Sequence, residues 1–233
     1  MTAHAAVRAA SYLRGMSDLD DFVRELDGTL EAALARIGEL SKAPPGPAVT
    51  IADLLGVALR NEIEAAEEAA IWMAGEKDLE LKLGLARQCG DEAKHFQLIA
   101  ERLRELGVDP SKLDLFAKGP SPMFKYLRTL ETPAERLAAG AFAREGLAVV
   151  RNRVFADWCD SQGDAETARL YREVIGPDEE HHHALGRKLL PRYTMIPEDQ
   201  ELARRAVART LHLAEELQEM ARLKQGISSA PGC

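Results

Sequence analysis

Cysteine is scarce in this chain and poorly placed for chemistry of its own. Cys89, Cys159 and Cys233 are three, an odd number, and no two form a Cys-x-x-Cys pair. This spacing supports neither a disulfide framework nor a zinc or rubredoxin-type iron knuckle, and it fits a reducing compartment. Positive charge is in deficit, with 30 Lys+Arg against 38 Asp+Glu. No basic stripe with interleaved aromatics runs along the chain to follow a phosphate backbone, so nucleic acid is not an expected partner. The one local concentration is Arg144, Arg151 and Arg153. Neither a signal-peptide hydrophobic region nor a run of about 18 apolar residues occurs, so the expectation is a cytoplasmic protein with no membrane partner. Runs of Val, Ile and Thr are also missing, and apolar residues recur instead at spacings of three and four, which predicts an all-α protein.

A chain of 233 residues is long enough to bury a real core, as one large helical domain or two small ones. The periodicity predicts a short helix near Ala5–Arg14 and a longer one over Ser17–Leu40. The linker Ser41-Lys42-Ala43-Pro44-Pro45-Gly46-Pro47 then ends it. Thr50-Ile51-Ala52-Asp53 places an N-cap before an acidic residue three positions on, opening a helix to about Gly75. A second runs from Asp78 to Gly107. Residues 108–131 form a crossover with a short helix around Met123–Leu130. Thr132-Pro133-Ala134-Glu135 combines a Thr cap, Pro at N1 and Glu at N3, and starts a helix to about Ser161. Another spans Asp164 to Leu190 and stops at Pro191, and a last one covers Pro197–Lys224. The resulting division is 1–49 as an N-terminal extension, 50–190 as a bundle, and 191–233 as a C-terminal helix and tail.

Against this background two five-residue segments stand out, Asp91-Glu92-Ala93-Lys94-His95 and Asp178-Glu179-Glu180-His181-His182. Each reads Asp-Glu-x-x-His within a predicted helix. Positions i and i+3 share a helix face, so Glu and His at that spacing can grip one metal ion together. Two such grips imply a two-metal site. The hairpins 50–107 and 132–190 also align with each other, Glu62 opposite Glu145, Ala65 opposite Ala148, Trp72 opposite Phe155. This looks like an internal duplication.

Depth and face extend the set. Antiparallel helices bring residues level when both lie equally far from the turn; Glu62 is 13 residues before Gly75, Glu92 is 14 after Asp78, Glu145 is 16 before Ser161, and Glu179 is 15 after Asp164. All four carboxylates can therefore occupy one layer. Glu62 lies in an apolar stripe with Leu55, Leu59, Ala66, Ala69 and Met73, and Glu145 in one with Ala138, Ala141, Ala148 and Phe155. A carboxylate on a buried stripe is costly unless paired or metal-bound. Glu64, Glu67 and Glu68 read as mostly solvated, with Glu64 the alternative to Glu62. The run His181-His182-His183 leaves a second register open, Glu180 with His183. Tyr171 and Tyr126 can approach the site or pack in the core, and Cys89, one turn before Glu92, can line it or serve as a small hydrophobe.

One Glu from each of two helices and a Glu-x-x-His from each of two others is the arrangement of ferritin-like di-iron carboxylate bundles. Residues 50–190 resemble that superfamily, with motif spacing closer to rubrerythrin-related proteins and the tRNA-hydroxylating monooxygenase type than to the shell-forming ferritins. The resemblance implies a four-helix bundle with a long crossover between its second and third helices, here carrying extra N-terminal helices and a C-terminal helix. It implies that Glu62 and Glu145 are the single carboxylate ligands, that Glu92-His95 and Glu179-His182 are the paired ones, and that Glu92 and Glu179 bridge. It also makes Asp91 and Asp178 the hydrogen-bond partners of ligand imidazoles. Oxygen and imidazole donors suit two Fe ions, with Mn or mixed Mn/Fe as alternatives.

The implied activity is a non-haem di-iron oxidoreductase working on O2 or peroxide. An oxygenase or oxidase of a small organic molecule is favoured by the additional helices and the crossover, which supply material for a pocket. No flavin fingerprint or Cys knuckle is present, so electrons come from an external donor. The alternatives are a peroxide-reducing or iron-oxidising protein, and a non-catalytic bundle whose extra helices bury a homodimer interface.

Overall fold

The computed structural model describes residues 3–41, 45–117 and 119–232, with the side chains of residues 3–17 and 40 outside that description. Part of the predicted linker, residues 42–44, and Cys233 lie outside the described residues. Among the described residues the chain is all-α, with no strand. The helices are α1 (Ala3–Ser41), α2 (Ile51–Gly75), α3 (Leu79–Glu105), α4 (Pro122–Leu127), α5 (Pro133–Leu137), α6 (Glu145–Ser161), α7 (Ala165–Leu170), α8 (Gly176–Tyr193) and α9 (Pro197–Gln225). Two π-helical segments, Ala138–Arg144 and Tyr171–Ile175, join α5 to α6 and α7 to α8 without a break. No described helix is long and apolar enough to cross a membrane.

The helix starts follow from capping chemistry. Thr50 Oγ1 accepts the Asp53 N–H at 3.1 Å while Asp53 Oδ2 accepts the Thr50 N–H at 2.8 Å. Thr132 and Glu135 make the same reciprocal pair at 3.2 and 3.0 Å, so two otherwise orphaned backbone donors are satisfied at each start. Three local expectations change. The first two predicted helices are one continuous α1, because nothing between Arg14 and Ser17 except Gly15 opposes a helix, and one glycine costs only about 1 kcal/mol. Pro191 sits inside the last turn of α8 rather than ending it; a proline so near the terminus forfeits one backbone bond, and the Thr194 hydroxyl donates to Leu190 O at 2.8 Å just beyond. The two π-helical segments have no counterpart in the sequence reading. Pro177 lacks the N–H that an α-helical bond would need, and the wider turn just before it, closed by Gly176 N–H donating to Tyr171 O, absorbs that loss.

The short 76–78 connection folds α3 back along α2. Helix α8 runs antiparallel to α3, as the pairs Lys188–Glu80, Arg87···His181 and Lys94–Asp178 show. The crossover is tied to α2 by Glu64, whose Oε1 accepts from Ser121 N at 2.8 Å at the start of α4 and from Arg60 at 3.2 Å. Apolar side chains gather in two clusters. One joins α1, the start of α3, the end of α8, α9 and the first π-helical segment through Leu26, Leu85, Phe142, Leu189 and Val207; the other joins α2, α3, α6 and the second π-helical segment through Leu55, Leu59, Ile99, Phe155 and Ile175. Each such side chain, fully buried, contributes roughly 1.5–3 kcal/mol of transfer free energy. Helices α2 and α3, and the segment from α7 through α8, pass from one cluster to the other, and each crosses between them at Glu62, at Glu92 with His95, or at Glu179 with His182. A buried layer of charge is thereby sandwiched between two apolar cores.

Candidate metal centre

Each side chain of this layer is positioned by its helix. Glu92 and His95 on α3, and Glu179 and His182 on α8, lie one turn apart on the buried face. Glu62 comes from the middle of α2, and Glu145 opens α6 directly after the π-helical segment. All six are buried, with at most 2% of their surface exposed. Ligand atoms of Glu62, Glu92, His95 and Glu179 lie within 4.8 Å of one another, and so do those of Glu92, Glu145, Glu179 and His182. The two groups share Glu92 and Glu179. Buried Glu/His clusters of this kind could hold metal ions.

The imidazoles are held from behind, crosswise. His95 Nε2 lies 3.2 Å from Asp178 Oδ2, and His182 Nε2 lies 3.1 Å from Asp91 Oδ2. Each aspartate therefore bonds the histidine of the other motif copy. An ionised carboxylate only accepts, so Nε2 carries the proton and donates, and Nδ1 of each ring faces the cluster. His95 Nδ1 is 3.4 Å from Glu62 and from Glu92, and His182 Nδ1 is 3.4 Å from Glu179. Arg87 reaches both aspartates, Asp91 at 3.1 Å and Asp178 at 3.5 Å, on the half-exposed outer edge of α3.

The electrostatics are those of a crowded, dry carboxylate site. Burial drives the Glu62 carboxyl up to about 8, against the lowering influence of the neighbouring His95 and with Glu92 adding to the rise. Burial, then the charges of Glu92 and Glu145, raise Glu179 well above the carboxylate range. Burial pulls His95 down, but the Glu62 and Glu92 carboxylates 3.4 Å from its Nδ1 outweigh that and lift it to about 10. Burial raises Asp178, yet the bond from His95 and the nearby Lys94 leave it lowered overall. Both oxygens of Glu62, both of Glu92, and Nδ1 of His95 and His182 are buried with no hydrogen-bond partner. Native interiors rarely leave so many polar atoms unpaired in one place. Six such atoms converging on one layer fit a cation that uses their lone pairs.

The remaining candidates separate cleanly. Glu180 is exposed and sits 3.7 Å from Arg153, and His183 packs on Phe142 with Nδ1 2.8 Å from Phe142 O, so neither joins the layer. His181 is exposed beside Arg87. Glu64 belongs to the crossover anchor. Tyr171 is 1% exposed, packs edge-on against Phe155 at 4.8 Å, and its hydroxyl is buried without a partner; burial first and then Glu62 push its pKa well above the ordinary value. Tyr126 donates to Ala206 O at 3.3 Å, away from the layer. Cys89 packs against the first apolar cluster, and the Cys159 thiol is buried and pushed up to about 12 by that burial.

Two expectations are corrected. Glu64 and Glu68 are buried, at 5% and 2%, and of the three only Glu67 is exposed. Glu68 is compensated by Arg144, whose Nη1 donates to it at 2.8 Å while Nη2 donates to Glu145 at 3.0 Å. Burial still raises Glu68 to about 7 despite that guanidinium. Arg144 is thus an internal counter-ion, so Arg144, Arg151 and Arg153 do not form one exposed basic patch. Gln88, which donates to Glu145 Oε1 at 2.6 Å, is absent from the sequence candidates above; its position one turn before the Asp-Glu-x-x-His segment on the same face is the signal that points to it. Comparison of the chain with protein-family models, with curated proteins and with solved structures gives no match.

Proposed function

We propose that this protein is a non-haem di-iron oxidoreductase of the ferritin-like kind, which activates O2 or peroxide and oxidises a small organic molecule with electrons from an external donor. The observation that carries this reading is the sharing of Glu92 and Glu179 between the two groups of ligand atoms, because two separate single-ion sites would need no common carboxylates. Glu62, Glu92, His95, Glu145, Glu179 and His182 would hold two Fe ions, or Mn in their place, which would supply paired one-electron changes for the reduction of O2 or peroxide.

The chain's own groups do the rest. Asp91 and Asp178 hold the imidazole protons on Nε2 and fix ring orientation, which makes Nδ1 a better donor toward the cluster. Arg144 and Gln88 both donate to Glu145 Oε1 and so orient that carboxylate. The apolar clusters on either side exclude water from the layer, and Tyr171, buried in the second of them, keeps its proton. In the metal-free chain the carboxylates instead stabilise a proton on His95, which the ring would have to give up to serve as a ligand.

Metal counting tests the reading. After anaerobic loading with Fe(II), Glu92→Ala and Glu179→Ala are expected to hold neither ion, because each removes a ligand from both groups, whereas Glu62→Ala and Glu145→Ala each retain about one. Elemental analysis with a helical CD spectrum decides it, and two ions retained in Glu92→Ala would sink the shared-carboxylate arrangement. A peroxide-reducing or iron-oxidising role is the second reading, favoured by the near-complete burial of the six side chains, which admits small oxidants more easily than organic molecules. Rapid peroxide consumption with reductant alone distinguishes it.

A further inference from the structure

After α9 the chain turns back at Gly226, whose carbonyl accepts from Gly46 N at 2.8 Å, and runs into the bundle beside Glu62. Ile227, Ser228, Pro231 and Gly232 are buried, and Gln218 Nε2 donates to Ser228 O at 2.7 Å. The end of this stretch is held in a specific way. One peptide unit, that between Pro231 and Gly232, is bonded on both of its edges: Asn61 Nδ2 donates to Pro231 O at 3.3 Å, and Gly232 N–H donates to Asn152 Oδ1 at 2.7 Å. Asn152 is 1% exposed, so it is a built interior group and not a surface side chain that happens to touch the tail.

The fit is close. Gly232 has φ +86°, and a β-carbon there would lie 3.2 Å from Glu62 Oε1 and 3.4 Å from Asn61 Cβ, so a residue other than glycine would be strained and crowded against a candidate ligand. On its other side the same stretch, through Ile227, Ser229 and Ala230, walls a cavity of about 160 Å³ that also touches Asn61, Met123 and Phe124. Gly226–Gly232 therefore stands between that cavity and Glu62.

We infer that Asn61 and Asn152 form a recognition site for a secondary amide beside the metal centre, filled by the chain's own Pro231–Gly232 peptide unit, so that Gly226–Gly232 is a displaceable plug and the organic substrate is an amide that takes its place. The last clause rests on the oxidoreductase reading; the amide site and the plug do not. A trans secondary amide presents one acceptor and one donor on opposite edges, which is what a donor from α2 and an acceptor from α6 require. A hydrocarbon offers neither and a carboxylate only accepts. Displacement joins the cavity to the layer of ligands. A tethered occupant competes at a millimolar-order effective concentration, so an external amide is best tested once the plug is loosened.

The experiment uses the full chain without metal, so it remains readable if no ion binds. Diethyl pyrocarbonate modification of His95 and His182 is followed by peptide mass spectrometry relative to exposed His212, with hydrogen exchange of residues 226–232 measured in parallel. Gly232→Val evicts the occupant and keeps the clamp; Asn152→Ala and Asn61→Ala remove one side of the clamp. All three are expected to speed both tail exchange and modification of His95 and His182 by about ten-fold, the effect of losing one or two hydrogen bonds on the opening equilibrium, with helical CD retained. Acetyl-Ala-Pro-Gly-amide at millimolar concentration is expected to slow modification again in Gly232→Val but not in Asn152→Ala. Faster tail exchange with unchanged histidine modification, or no acceleration of either in any folded variant, overturns the plug. Protection by the peptide in neither variant, or equally in both, overturns the amide site. Iron stoichiometry, measured separately, reports on the metal reading alone.

Discussion

At the scale of single residues, the crossed pairing of Asp91 with His182 and Asp178 with His95 makes each motif copy incomplete without the other. Replacing Asp91 by Ala leaves the six cluster-facing side chains in place and releases one imidazole to rotate. The expected result is a loss of roughly 10- to 100-fold in affinity for one of the two ions, with the full count still reached at saturating metal. Competition against a chelator with Mn(II) or Co(II) measures it, and an unchanged affinity would mean that the aspartate does not orient the ring. The Asp-Glu-x-x-His pattern is legible in the sequence because two helical spacings carry it. Which histidine each aspartate meets was not legible, since that depends on how α3 and α8 lie against each other.

At the scale of elements, the first π-helical segment decides how closely α8 approaches Glu145. A β-carbon on Gly186 would lie 2.6 Å from the Ala141 backbone carbonyl carbon and 2.8 Å from Ala141 Cβ. Neither backbone can yield cheaply, so Gly186→Ala is expected to destabilise the fold by about 1–3 kcal/mol or more, despite the better helix propensity of alanine. Urea unfolding followed by CD checks this; a variant at least as stable as the parent would show that the two backbones do not bear on each other. Of the small residues on that stretch, Ala138 and Ala141 are visible in the sequence as part of the apolar stripe around Glu145. The wider π turn they permit is not, because α-helical and π-helical turns differ by one residue of hydrogen-bond register and share the same composition.

At the scale of the whole molecule, the polar layer between two apolar cores couples stability to pH and to metal. Glu62 and Glu68 have raised pKa values in the fold, about 8 and about 7, so the folded chain keeps protons that the unfolded chain gives up above the ordinary carboxylate range. Their contribution is favourable at low pH and is lost as pH rises toward 7 and 8. His95, raised to about 10, adds stability in full below the ordinary imidazole value and loses it as pH climbs toward 10. All three slopes have the same sign. The metal-free protein is therefore expected to lose thermal stability steadily between about pH 5 and pH 9, while added Mn(II), which requires these groups deprotonated, stabilises it more as pH rises. Scanning fluorimetry with and without Mn(II) across that range reads the gap between the two melting temperatures; a gap that stays constant with pH would place the bound ion elsewhere.

The all-α class, the capped starts at Thr50 and Thr132, the four glutamates at one depth and the histidine one turn after two of them were legible in the sequence alone, because helix periodicity, caps and i,i+3 spacing are local properties of the chain. The tertiary structure alone decided among the three consecutive histidines. Of the three, His182 is the one whose ring reaches the carboxylate layer, while His181 lies exposed beside Arg87 and His183 packs on Phe142. Tertiary structure also decided that Glu64 and Glu68 are buried, because their counter-ions and donors, Ser121 and Arg144, come from segments more than fifty residues away. The placement of Gly232 against Glu62 is of the same kind. Local periodicity states which face of a helix is apolar; what that face meets is set by packing between segments far apart in the chain.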